Sequence, residues 1–111
     1  MYARKEFMSL KDAKNIPELT DRLEKKVIPM LRDLKGFQDE ITFFTPGRTE
    51  ALAISLWDNK EGAEAYNHDK YPDVLKALEG LLIGNPRVES CEVGMSTFHE
   101  LAAAPAYATV A

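Results

Sequence analysis

The sequence predicts an α+β domain, one antiparallel sheet with helices on a single face. Three observations point to it: apolar residues recur at helical spacing between Ile16 and Leu34, two strand-like runs flank a Pro46-Gly47 pair, and a second helical stripe from Val74 to Leu82 precedes a last strand-like run.

Residues 2–10 are short and bounded by polar residues, and they read as the N-terminal strand of the sheet. Alternation puts Tyr2, Arg4, Glu6 and Met8 on one face, which then carries two charges. Asn15 with Glu18 three residues on makes a capping-box pattern, and Ile16, Leu19, Leu23, Val27, Met30, Leu31 and Leu34 continue the first helix to Gly36. Pro29 sits inside this helix. It removes a backbone donor and crowds the preceding turn, so a kink or break is expected near Lys25 to Ile28.

Phe37 to Thr45 and Glu50 to Trp57 flank Pro46-Gly47-Arg48-Thr49, which predicts a hairpin. In its second strand Leu52, Ile54 and Leu56 alternate with Ala51, Ala53, Ser55 and Trp57, and the large aliphatics are expected to face the helices. Asp58 is the expected N-cap of a short helix running to about Tyr66. Pro72 and Asp73 open the next helix, whose Val74, Leu75, Leu78, Leu81 and Leu82 form a stripe ending at Gly84. Asn67 to Lys70 is the polar hinge between them. Pro86 releases the chain into a last strand, Arg87 to Phe98.

The order is βαββαβ, a ferredoxin-like antiparallel sheet with one face uncovered. With Phe43 or Phe44, Trp57 and small residues on that face, a second copy is the simplest cover, so a homodimer is expected. Residues 1–100 make the domain. Residues 101–111 are a tail that either frays or reaches onto the partner.

Composition narrows the function classes. A length of 111 residues suits one core, and 45% hydrophobic with 29% charged residues is globular composition rather than disorder. The net charge of −4, with no basic block, argues against nucleic acid and anionic membranes as partners. No apolar run is long enough to span a bilayer, and the single cysteine, Cys91, cannot close an intramolecular disulfide, so a cytoplasmic protein is expected, with Cys91 a small buried hydrophobe. No phosphate-binding loop, dinucleotide fingerprint, serine elbow or metal-ligand spacing occurs, and no metal or tightly held cofactor is expected.

The run Ala-Ile-Ser-Leu-Trp-Asp-Asn-Lys-Glu-Gly-Ala-Glu-Ala-Tyr at 53–66, followed by Tyr71-Pro72, Val88-Glu89 and Ser96-Thr97-Phe98, resembles the antibiotic biosynthesis monooxygenase superfamily of dimeric α/β barrels. The N-terminal Tyr-Ala-Arg strand shares the resemblance, which spans residues 2 to about 100. It implies two sheets meeting in a barrel, with a pocket between each sheet and its own helices. It also implies a cofactor-independent oxygenase acting on a small aromatic or phenolic compound, or a haem-degrading enzyme. The haem-degrading members pair a first-strand asparagine with a histidine in the second helical region. Here the first strand has no Asn and the stretch from Pro72 to Ile83 has no His, so the iron role does not carry over.

Within that frame, Trp57 is read either as a pocket wall that stacks on a flat substrate or as a filler of the core edge. Tyr66, Asn67 and His68 are the candidate catalytic group, with Tyr71, Trp57 and Arg4 as candidate substrate-binding residues. A hydroxyl, an amide and an imidazole would orient a phenol and remove its proton, His68 being the group with an ordinary pKa near neutrality. The competing view makes Asn67 and His68 solvated hinge residues. Arg4 and Glu6 are read either as a buried ion pair that fixes an acidic or hydroxylated ligand or as part of a solvated face. His99, just past the last strand, is given no role. The alternative to an enzyme is a non-catalytic barrel that binds a small ligand or serves a structural purpose.

Overall fold

Strand register decides which side chains meet the helices. In this computed structural model, which describes residues 1–97, four strands, β1 (Tyr2–Ser9), β2 (Phe37–Phe44), β3 (Glu50–Trp57) and β4 (Arg87–Glu92), form one sheet in the order β2-β3-β1-β4. Every neighbouring pair is antiparallel. The helices α1 (Ile16–Arg22), α2 (Ile28–Arg32), α3 (Lys60–Asp69) and α4 (Tyr71–Ala77) pack their apolar sides against the sheet. This is the expected α+β, ferredoxin-like arrangement. Phe98, His99 and the tail over 101–111 lie outside the described residues.

The first helical segment carries the expected irregularity. Between α1 and α2 the chain widens into a π-helical turn, Leu23–Val27, closed by the bond from Ile28 N–H to Leu23 O. Pro29 cannot donate and would crowd the carbonyl of Lys25, and the wider turn relieves both constraints. The start of the helix differs from the capping-box pattern. Asn15 has helical backbone angles and makes no side-chain cap bond; Asp12 instead accepts from Lys14 N–H at 2.9 Å and opens a 3₁₀ turn, Ala13–Asn15, that runs into α1.

Four other boundaries move. Asn59, not Asp58, caps α3: its backbone is extended and its Oδ1 accepts from Gly62 N–H at 3.0 Å, while Asp58 accepts from Gln38. α3 continues to Asp69, so Asn67 and His68 belong to its last turn and the hinge shrinks to Lys70. α4 stops at Ala77, and Gly80, at φ +88°, turns the chain so that Leu81 still reaches the core. β4 ends at Glu92. It is an edge strand exposed along its length, which leaves Cys91, paired with Ala3, exposed instead of buried.

The largest correction concerns β3. Ala51, Ala53 and Trp57 pack into the core beneath the helices, and Ser55 lines the same side; Leu52 and Ile54 lie on the opposite face, paired with Phe43 and Ile41. The reason is steric and electrostatic. Ser55 is registered against Arg4 and Ala53 against Glu6, so only small β3 side chains leave room for two long charged ones under the helices. The uncovered face therefore carries Phe43, Ile41, Leu52 and Ile54, and neither Trp57 nor Phe44. Leu10, Leu19, Leu31, Trp57, Val74 and Leu78 are the largest side chains wholly removed from solvent.

Candidate functional site

Alternation along β1 drives Arg4 beneath the helices, where it is 3% exposed. A guanidinium has five N–H donors and no acceptor, so burial there demands partners on several sides. Its Nη1 approaches Glu6 Oε2 at 3.3 Å, its Nη2 donates to Asn67 Oδ1 at 2.9 Å, and its Nε donates to the same oxygen at 3.3 Å. The flat cation also lies 4.0 Å from the ring centre of Tyr71 and 5.1 Å from that of Tyr66. One side chain thus ties β1 to the last turn of α3 and the first turn of α4.

Beside it stands an aromatic stack. Tyr66 lies on Trp57 with ring centres 5.1 Å apart and planes 29° from parallel, Phe37 meets Trp57 edge-on, and Tyr71 tilts against Tyr66. The Trp57 indole N–H donates to Ser55 Oγ at 2.9 Å, so even this fully buried ring has its polar edge satisfied.

Between sheet and helices lies a cavity of about 20 Å³, room for about one water molecule. Arg4, Glu6, Glu40, Ser55 and Tyr66 give it a polar floor, and Leu23, Val27, Leu31, Val74 and Leu78 an apolar roof. Two buried polar atoms in this region, Glu6 Oε1 and the Tyr71 hydroxyl, make no hydrogen bond of ordinary geometry among the described residues, although the Tyr71 hydroxyl lies near enough to the Glu6 carboxyl to oppose its raised pKa. Orphaned buried groups are uncommon, because each carries its desolvation cost without compensation.

Burial governs the protonation of these groups. It pushes the Glu6 carboxyl up, against the opposing pull of Arg4. It also raises Glu40, against the Thr42 hydroxyl bond and reinforced by the Glu6 charge. The Tyr66 hydroxyl is held far above its ordinary range, chiefly by burial, and Tyr71 is pushed up to about 12 by burial and then by Glu6. A raised tyrosine pKa means that the fold prefers the neutral phenol. That contribution to stability is complete below the ordinary value near 10 and is lost as pH rises through about 12. An absorbance titration of the native protein should accordingly show Tyr66 and Tyr71 unionised at about pH 11, with loss of structure accompanying their ionisation; tyrosinate formation at both while the fold persists would contradict this.

Of the residues singled out from sequence, Arg4, Trp57, Tyr66, Asn67 and Tyr71 come together in this cluster. Asn67 is mostly exposed, and it enters only through its bonds to Arg4. His68 does not join them: its side chain is 89% exposed, and its Nδ1 pairs with Asp69 at 2.7 Å. The helix extends one turn further than expected and carries His68 to its outer side. Glu40 and Ser55 were not singled out. Their signal was present, since alternation along β2 and β3 sets them on one face, but it became readable only with the β1–β3–β2 register. Among the described residues no cluster of His, Cys, Asp or Glu fits a metal ion, and no helix is long and apolar enough to cross a membrane.

No family model matches the chain. No curated protein matches it in sequence either. Solved structures do match it in fold. A monooxygenase of Streptomyces coelicolor, solved in complex with nanaomycin D, superposes with a TM-score of 0.73 at 13% identity, covering 86% of this chain and 88% of that one. A cofactor-independent oxygenase from Streptomyces nogalater gives 0.68 at 9% identity over 86% and 95%. A proposed antibiotic biosynthesis monooxygenase from Deinococcus radiodurans gives 0.69 at 16% identity over 86% and 95%. Identities this low speak to architecture alone, and on that level the chain shares the α+β fold of these three proteins.

Proposed function

We propose that the protein is a cofactor-independent monooxygenase acting on a small aromatic or phenolic compound bound between sheet and helices. The observation that carries this is the orphaned Glu6 Oε1 at a cavity lined by a buried guanidinium and a tyrosine ring. Arg4 would hold the phenolic oxygen and stabilise its anion, and the Trp57–Tyr66 stack would back the flat ring. Glu6, not the outlying His68, is placed to receive the phenol proton, and its raised pKa suits that task. Asn67 positions Arg4. In the reaction the substrate supplies its own electrons to O₂: a phenol becomes a quinone, one oxygen atom entering the ring as the new carbonyl and the other leaving as water with the two hydrogens lost.

A ring needs far more room than the present cavity provides. Binding therefore requires the roof formed by Leu23, Val27 and Leu31 to move away from the sheet, at the π turn where the helical cover is already irregular. The uncovered sheet face would be closed by a second copy, making a homodimer. Its support is the exposure of Phe43 and Ile41, and a groove of about 510 Å³ lined by Phe43 with Phe7, Leu52, Ile83 and Arg87.

Oxygen uptake with a panel of phenols and hydroquinones tests the assignment. Glu6→Gln should lower kcat by about 100-fold or more on any substrate turned over, as loss of a general base does. Absence of uptake across the panel, or a Gln variant as fast as the parent, would count against it. The second reading is a non-catalytic barrel that binds a small ligand or serves a structural purpose, and the small volume of the cavity favours its structural form. Saturable binding of the same phenols without oxygen uptake would establish the ligand-binding form, and no binding at all the structural one.

A further inference from the structure

Three of the apolar roof residues of the cavity, Leu23, Val27 and Leu31, come from the first helical segment, and the two halves of that segment are held in different ways. α1 is tied down by polar contacts. The Arg22 side chain, only 26% exposed, pairs through Nε with Glu18 at 2.9 Å. Its Nη1 donates to the carbonyls of Ala77 at 3.2 Å and Glu79 at 2.8 Å, at and just beyond the end of α4, where carbonyls lack a helical donor. Among the described residues, the side-chain hydrogen bonds and ion pairs of the whole segment fall between Ile16 and Lys25. Residues 28–34 are held by apolar packing instead: Leu31 is buried, Ile28, Met30 and Leu34 are partly buried against the core, and Arg32 and Asp33 are exposed. This second half also has a weak joint at each end. At one, Pro29 brings no N–H to the helical ladder just past the π turn. At the other, Gly36 sits at φ +87°, and its carbonyl accepts from Asp58 N–H at 2.8 Å, which pins the chain to the sheet again.

We infer that residues 28–34, with α2 at their centre, are the gate of the cavity: they swing from the sheet as a unit between the π turn and Gly36, while α1 stays fixed to α4 through Arg22. Opening lifts Leu31 out of the roof and breaks no ion pair or side-chain hydrogen bond among the described residues. The charges of Arg32 and Asp33 are solvated whether the gate is open or shut. The cost is the apolar surface of Leu31 and its partly buried neighbours, the scale of a local opening rather than of global unfolding. A roof that parted at α1 would instead strip Arg22 from two carbonyls and expose Leu19, which is wholly buried. The gate rests on the reading of the cavity as a ligand site and supplies its control, since opening admits a ring and closing excludes water from it.

Native-state hydrogen exchange of the ligand-free protein, followed by NMR at increasing sub-denaturing urea, tests the gate without any assumption about chemistry. The amides of Arg32, Asp33 and Leu34 should exchange through one shared opening, at least about tenfold faster than those of Thr20 to Leu23 and with little dependence on urea, because a local opening exposes little surface. Pro29→Ala restores a donor beside the π turn. It should slow exchange at residues 32–34 by about fivefold or more and leave α1 within about twofold, whereas mere fraying at the far end of α2 would not respond. Thermal unfolding checks that the variant is folded; if it is not, the pattern of the parent protein decides alone. Equal exchange in the two halves, a urea dependence at residues 32–34 that matches global unfolding, or a folded Ala variant with an unchanged pattern overturns the inference. Separate opening of residues 28–34 in a protein that binds no phenol would sink the ligand-site reading and leave the hinged opening standing. Phenol turnover in a protein whose α2 amides open only with the whole fold would do the reverse.

Discussion

Arg4→Ala should lower the stability of the fold by about 3–5 kcal/mol, the usual cost of removing one partner of a buried ion pair. The change strands Glu6 in a low-dielectric site, removes both bonds that Asn67 accepts, and takes the cation from between two tyrosine rings. Urea unfolding followed by circular dichroism reads the loss directly. A companion variant distinguishes a lost contact from a stranded charge: Arg4→Met combined with Glu6→Leu removes both charges while filling the volume, and it should recover most of the deficit.

The pH dependence of the Arg4→Ala deficit has a defined sign. In the folded protein the Glu6 carboxyl titrates above its ordinary range, so the folded state holds that proton more tightly than the unfolded chain does. Stability from this source is complete below the ordinary glutamate value and is lost as pH rises through the folded one. Arg4 opposes the shift, so removing Arg4 enlarges it and extends the affected window upward in pH. The destabilisation of Arg4→Ala should accordingly shrink on going from neutral pH to about pH 5. A deficit that is the same at both, or larger in acid, would show that Glu6 is not left charged and buried.

Phe43→Asp is expected to convert the dimer proposed above into monomer or aggregate, seen by light scattering coupled to size exclusion. Phe43 is the most exposed aromatic ring among the described residues and sits opposite Leu52 in the middle of the apolar face. A carboxylate there would have to be desolvated without a partner on association, so the dimer should weaken by at least about 100-fold. Phe44→Asp serves as the contrast. That ring packs against the core beneath the helices, so its replacement should reduce thermal stability instead of acting on assembly alone. An unchanged dimer on Phe43→Asp would place any partner on a different surface.

Periodicity alone was enough for the order of elements and for the irregular first helix. The apolar repeat from Ile16 to Leu34 needs a 3.6-residue period, and Pro29 within it cannot be accommodated by a regular α-helix, so the π turn over Leu23–Val27 was foreshadowed by one residue. The Pro46-Gly47 hairpin was equally local. The faces of β3 were not. Leu52, Ile54 and Leu56 look like a core-facing row, yet which row faces inward depends on what the neighbouring strands bring to the same side. Here Arg4 and Glu6 occupy that side, and only Ala53 and Ser55 leave them space.

The site divides in the same way. Trp57, Tyr66, Asn67 and Tyr71 were legible because they flank the strand-to-helix junction and the helical break, where chemistry-bearing residues crowd a short stretch of sequence, and Arg4 because alternation along the first strand set it beside Glu6. Glu40 and Ser55 were not, because they act through strands distant along the chain. His68 was misleading for a physical reason: one extra turn of α3, capped by Asn59 instead of Asp58, carries it to the solvent side and leaves it with Asp69. Sequence by itself determined the α+β plan, the helical irregularity and the aromatic content of the site. Tertiary structure alone decided which carboxylates lie buried, because a charge can remain under the helices only where cross-strand register supplies both a partner and a small neighbour.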